Sequence, residues 1–93
     1  MINEKNIEEI KKNFASLAKN VKFFIFGKSI KEKKFDKINI GIIGKINNEG
    51  MENLQNAFDD SDLPCRICLT HLDIITKESR QKILSDEMLW LKR

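Results

Sequence analysis

Phe23-Phe24-Ile25-Phe26-Gly27 and, beyond a lysine-rich stretch, Ile38-Asn39-Ile40-Gly41-Ile42-Ile43 decide the fold of this chain. The first belongs to an apolar run, Val21 to Phe26, that has strand length and is closed by a glycine. The second alternates. Ile38, Ile40 and Ile42 fall on one face and Asn39 and Gly41 on the other, which is the pattern of a half-buried strand. Between them Lys28–Lys37 reads as a polar loop.

On the N-terminal side, Asn3 to Asn20 predicts an amphipathic helix, with Ile7, Ile10, Phe14 and Leu17 on one face. Glu4, Glu8 and Glu9 come early and Lys11, Lys12 and Lys19 late, which suits the helix dipole. On the C-terminal side, Gly44 to Gly50 reads as a turn containing Asn47 and Asn48. Met51 to Asp59 predicts a second helix with Met51, Leu54 and Phe58 inward, broken by Asp59-Asp60-Ser61-Asp62. Cys65 to His71 predicts a third strand. Thr76 to Asp86 predicts a third helix, with Thr76 as N-cap and Ile83 and Leu84 inward. Met88 to Leu91 closes the series as a short strand. Short connections and this mixed order predict one α/β (α+β) domain over residues 1–93, a small mixed sheet with helices packed on one face.

The composition fits that reading. Hydrophobic residues make up 41% and charged residues 33% of 93 positions, enough for one thin core and unlike a disordered chain. A chain of this length buries only about 60–65% of its unfolded surface, so dimerisation or a partner would help it. No apolar run approaches the ~20 residues of a membrane span. Met1-Ile2-Asn3-Glu4-Lys5 resembles neither a signal nor a transit peptide, so a cytoplasmic protein is expected.

The strand ending in Phe24-Ile25-Phe26-Gly27, the basic loop and the strand of alternating isoleucines together resemble the minimal nucleotidyltransferase family, small domains of the DNA polymerase beta-like kind. Lys77-Glu78-Ser79-Arg80-Gln81-Lys82-Ile83-Leu84 followed by Met88-Leu89-Trp90-Leu91 looks like the family's closing helix and strand, so the resemblance covers nearly the whole chain. Family members carry Gly-Ser after the first strand, Asp-x-Asp on the second and a third Asp on a later one. Such carboxylates would hold two Mg²⁺ ions around the transferred nucleotidyl group of ATP. Here Lys37 and Asn39 stand at the Asp-x-Asp positions, Arg66 at the third, and Gly27-Lys28 replaces Gly-Ser, with Ser29 one step late. Two cations repel Mg²⁺. Asp36 is the nearest surviving carboxylate, but the one-residue slip that would restore it turns the isoleucines out of the core.

The loop itself holds Lys28, Lys31, Lys33, Lys34 and Lys37 against Glu32 and Asp36. With Arg66 it reads either as a solvated turn or as a basic site for an anion, a nucleotide or an acidic partner, built from Gly27, Lys28, Ser29, Lys31, Lys37 and Arg66. Cys65, Cys68 and His71 form C-x-x-C-x-x-H, yet a structural zinc needs four such ligands and residues three apart on a strand face opposite ways. They are read as ordinary strand cysteines and a surface or strand-end histidine. Phe14, Phe23, Phe24, Phe26 and Phe58 are read as core. Trp90, with Met88 and Leu91, is read as an exposed edge able to pair with a partner or a second copy.

Three functions follow as expectations. The first is a catalytically inactive domain of the nucleotidyltransferase kind acting as a binding or regulatory subunit. The resemblance implies an antitoxin-like role beside a helical toxin-like protein, or a homodimer, with no cofactor and no membrane. The second is an active transferase moving a nucleotidyl group from ATP to protein with Mg²⁺, using Asp36 with Asp73 or another acid. The third is a basic nucleic-acid-binding domain whose affinity falls steeply with salt.

Overall fold

The computed structural model describes residues 2–93. Helix α1 spans Glu4–Leu17, and the Asn3 side chain caps it by accepting from the Asn6 N–H at 2.9 Å. Strand β1 is Lys22–Phe26, a 3₁₀ turn covers Lys28–Ile30, and strand β2 is Lys37–Ile43. Helix α2 spans Asn48–Asp59, strand β3 Arg66–His71, a second 3₁₀ turn Leu72–Ile74, helix α3 Lys77–Ser85 and strand β4 Met88–Lys92. The mixed α/β class expected from the sequence is the one observed.

The four strands form one sheet in the order β3-β2-β1-β4. β1 pairs antiparallel with β2 and with β4, and β2 pairs parallel with β3. The alternation in β2 works as expected. Ile38, Ile40 and Ile42 are fully buried against Phe23 and Ile25 of β1, Ile10 and Phe14 of α1, and Leu54 and Phe58 of α2. The Phe14 and Phe23 rings stack at 3.9 Å, and Phe58 lies 5.9 Å from Phe14.

β2 to β3 steps towards one edge of the sheet, whereas β3 to β4 returns across its full width. Both joins link parallel strands, and parallel crossovers are right-handed, so opposite steps put α2 and α3 on opposite faces. Two observations agree. No side chain of α3 belongs to the main core, and Phe24 and Leu72 are buried yet lie outside that cluster. The expected one-face packing thus describes α1 and α2, while α3 is assigned to the other face. Phe24 there packs against Trp90 at 4.9 Å and Phe26 at 5.8 Å. Trp90 is therefore half-buried rather than exposed, Phe24 is buried away from the main core, and Phe26 is only half-buried rather than core.

Other local expectations shift for physical reasons. Leu17 is 44% exposed because the inward position after Phe14 falls on Ala18, one full helical turn on. Helix α2 starts three residues before Met51, because the Asn47 side chain caps it by accepting from the Gly50 N–H at 2.7 Å. Thr76 does cap α3, accepting from the Ser79 N–H at 3.2 Å. Ile83 is half-buried, but Leu84 is 39% exposed, so only one of the two turns inward.

Candidate functional site

β1 ends where β2 begins, because the two run antiparallel. β3 runs beside β2 in the same direction, and β4 starts opposite Phe26. The end of β1 and the starts of the other three strands therefore share one end of the sheet. That end carries Gly27, Lys37, Arg66 and Met88. Lys37 is in register with Arg66, and Asn39 with both Phe26 and Cys68. Ile38 and its partner Ile67 are buried in the core, so Lys37, Asn39 and Arg66 share the opposite face. The three positions singled out in the sequence are thus brought side by side.

Lys37 and Arg66 are exposed and Asn39 is half-buried. Neighbouring strands lie about 4.8 Å apart, so two cations in register repel each other. A pocket of about 420 Å³ opens there, walled by Asp36, Lys37, Leu63, Pro64, Cys65 and Arg66. The backbone closes it on one side, with the Arg66 N–H donating to the Asp36 carbonyl at 3.3 Å. Two cations and one carboxylate leave the pocket net positive.

The turn after β1 supports this corner. Gly27 has φ +90°, and a Cβ on it would lie 2.9 Å from Asn39 Nδ2. Glycine alone gives both the conformation and the close approach. In the following 3₁₀ turn Ser29 is 1% exposed, and its hydroxyl has no hydrogen-bond partner among the described residues. A buried hydroxyl left alone costs roughly 1–3 kcal/mol. The Ser29 carbonyl accepts from the Ile2 N–H at 2.8 Å, tying the N-terminal segment to this turn.

The lysine loop does not act as one patch. Lys31 is held by Glu87 at 2.7 Å, and the hydrogen bond to Glu87, followed by its negative charge, raises the Lys31 pKa. A neighbouring hollow of about 350 Å³ has Gly27, Lys28 and Lys31 facing Glu32, Asp86 and Glu87. The cations at the pocket are therefore Lys37 and Arg66, while Lys28 lines the neighbouring hollow and Lys31 is engaged in an exposed ion pair. Lys33 and Lys34 are exposed and line neither hollow.

Asp36 and Asp73 cannot act together. Asp36 precedes β2, whereas Asp73 sits at the other end, where its Oδ2 accepts from the Gly44 N–H at 3.1 Å. Seven strand residues separate the two ends, about 20 Å at ~3.3 Å per residue. Two metals sharing carboxylates would need to lie about 3.5–4 Å apart. Among the described residues no three His, Cys, Asp or Glu side chains gather as a metal cage.

The C-x-x-C-x-x-H residues scatter as strand geometry requires. Cys65 packs against the core at the pocket wall, while Cys68 lies in register with Asn39, and both thiols are free. Burial, and then the charge of Asp36, pushes the Cys65 thiol pKa up, which makes it a poor nucleophile at neutral pH. His71 ends β3 as expected, but it is 7% exposed rather than on the surface. Its Nε2–H donates to the Gly44 carbonyl at 2.7 Å, and Asp73 Oδ2 lies 3.6 Å from the same nitrogen. This latch joins the ends of β2 and β3 away from the candidate pocket. A lone histidine gives no sequence signal for it.

No helix among the described residues is long and apolar enough to cross a membrane. Comparison with known proteins finds no family model and no curated relative that matches the chain.

Proposed function

We propose that this chain is a non-catalytic binding subunit built on a nucleotidyltransferase-like domain, and that the pocket at Lys37 and Arg66 receives an anionic group from its partner. The observation that carries this reading is the strand register that sets Lys37 beside Arg66 and Asn39. Transfer chemistry of the resembled kind needs carboxylates for Mg²⁺ at those positions, and a cation there serves the opposite ligand. The likeness to that family rests on the strand, loop and strand pattern of the sequence, and the antitoxin-like role beside a helical partner rests on the same likeness. The pocket wall itself supplies the two cations, Lys37 and Arg66, against the single carboxylate of Asp36.

The test is an amide NMR titration with ATP and, separately, inorganic phosphate, each with and without Mg²⁺. Shifts at Lys28, Ser29, Lys37, Asn39 and Arg66 without Mg²⁺, lost in Lys37→Glu/Arg66→Glu, are expected. Shifts that require Mg²⁺ would return the site to metal-nucleotide chemistry and overturn the non-catalytic reading. Absence of any shift would overturn the anion pocket.

A further inference from the structure

Two helices cover three strands. The Gln55 side chain of α2 donates to the Ile67 carbonyl of β3 at 2.9 Å, and α1 lies over β1 through the Phe14–Phe23 stack. β4 lies beyond β1 at the sheet edge, with no helix of its own on that face. The strand is also irregular there. Phe24 pairs with Trp90 but the preceding Phe23 pairs with Lys92, so Leu91 is an extra residue. Leu91 packs against the core on the side of α1. The result is a hollow of about 420 Å³ between α1 and β4, floored by Phe14, Phe23 and Leu91 and walled by Ala15 and Ala18.

Its remaining lining residues are Lys11, Lys19 and Lys92. All three charged side chains that line the hollow are positive. Lys11 lies on α1, and Lys19 lies in the turn just beyond its C-terminal end. The Lys92 ammonium donates to the Lys19 carbonyl, which fixes it at the mouth beside the C-terminal end of α1. The hollow lies towards the end of the sheet opposite Lys37 and Arg66, so it is independent of the pocket described above.

We propose that this hollow is a binding site for a small amphipathic anion, an alkyl or aryl chain ending in a carboxylate. Its volume falls within the roughly 300–1,000 Å³ of ligand pockets, which are mostly apolar with a few polar groups that fix orientation. The aromatic and aliphatic floor takes the chain, and the lysine rim takes the head group. A neutral chain finds the same floor without the charge match, and a cationic chain meets repulsion.

The experiment titrates ¹⁵N-labelled protein with decanoate, decanol and decylamine below their aggregation limits and follows amide shifts. Decanoate is expected to move Ala15, Ala18, Phe23, Leu91 and Lys92, with decanol at least fivefold weaker and decylamine silent. Lys11→Glu/Lys19→Glu changes two exposed residues and is expected to weaken decanoate at least tenfold. Ala15→Phe fills the hollow from an exposed helix position and is expected to abolish the shifts while the circular dichroism spectrum is kept. Two results would overturn the proposal. One is no localised shift with millimolar decanoate. The other is equal response to decanoate and decanol that the lysine changes leave unaltered, which would make the hollow an apolar crevice without selectivity.

Discussion

Gly41→Ala tests how β2 is seated under β1. Gly41 is in register with Phe24, and an added methyl carbon would lie 2.4 Å from Phe24 Cζ and 2.8 Å from both Cε atoms. Carbon atoms in contact prefer about 3.5–4.0 Å, so the ring would have to retreat by more than 1 Å. It has nowhere to go, because Phe24 is fully buried against Trp90 and Phe26. Overpacking of this kind costs about 1–3 kcal/mol, and replacing glycine returns roughly 0.4–1 kcal/mol by restricting the unfolded chain. The net expectation is a loss of about 1–2 kcal/mol, or roughly 5–12 °C in melting temperature for a domain this small. Urea denaturation followed by circular dichroism reads it as a lower midpoint at unchanged slope. Trimming the ring should make room, so Phe24→Leu is expected to cost less in the Gly41→Ala background than in the native chain. A Gly41→Ala variant within about 0.5 kcal/mol of native would refute the reasoning, as would strict additivity of the two changes.

Three further outcomes are expected. His71→Ala breaks the latch to the Gly44 carbonyl and should cost about 1–3 kcal/mol by urea denaturation, because a buried acceptor loses its donor. Lys31 has its pKa raised above the ordinary 10.5 by Glu87, so the pair's contribution is complete below that value and is lost as pH climbs through the raised folded pKa. Both groups are well exposed, so Glu87→Gln should change stability little at neutral pH and make the alkaline decline slightly shallower in a pH series of thermal melts. The Cys65 thiol, raised by burial and then by Asp36, should alkylate with iodoacetamide more slowly at pH 7.5 than an unstructured cysteine, and Asp36→Asn should speed it.

The elements were legible where one face alone is buried. The isoleucines of β2 announced their strand because three alternate positions are apolar and the core receives all three. That Lys37 and Asn39 share the face away from the isoleucines was legible for the same reason, whereas Arg66 was singled out only through the family resemblance, and β3 pairing brings it beside Lys37. Residue patterning alone did not reveal other contacts set by long-range pairing. Glu87 is far from Lys31 in the chain, yet their ion pair removes a cation from the candidate site. The strand-end place of His71 was legible but its burial was not, because its partner, a backbone carbonyl at Gly44, has no side-chain signature. The second buried face around Phe24 depends on β4 lying beside β1, which residues 88–92 alone do not reveal.

That last pairing has a consequence for synthesis. β1 is made early and its two neighbours come from opposite directions in time, β2 soon after and β4 only once residues 88–92 leave the ribosome. Until then one edge of β1 stands open, with Phe24 deprived of Trp90. A nascent chain in that state exposes unpaired strand backbone and an aromatic ring, the features that recruit chaperones or another unfinished copy. A stop codon just before Met88 would make the state permanent. Such a product is expected to keep α1, β1, β2, α2 and β3 but to accumulate as aggregate, which makes β4 the segment that closes the open edge of β1.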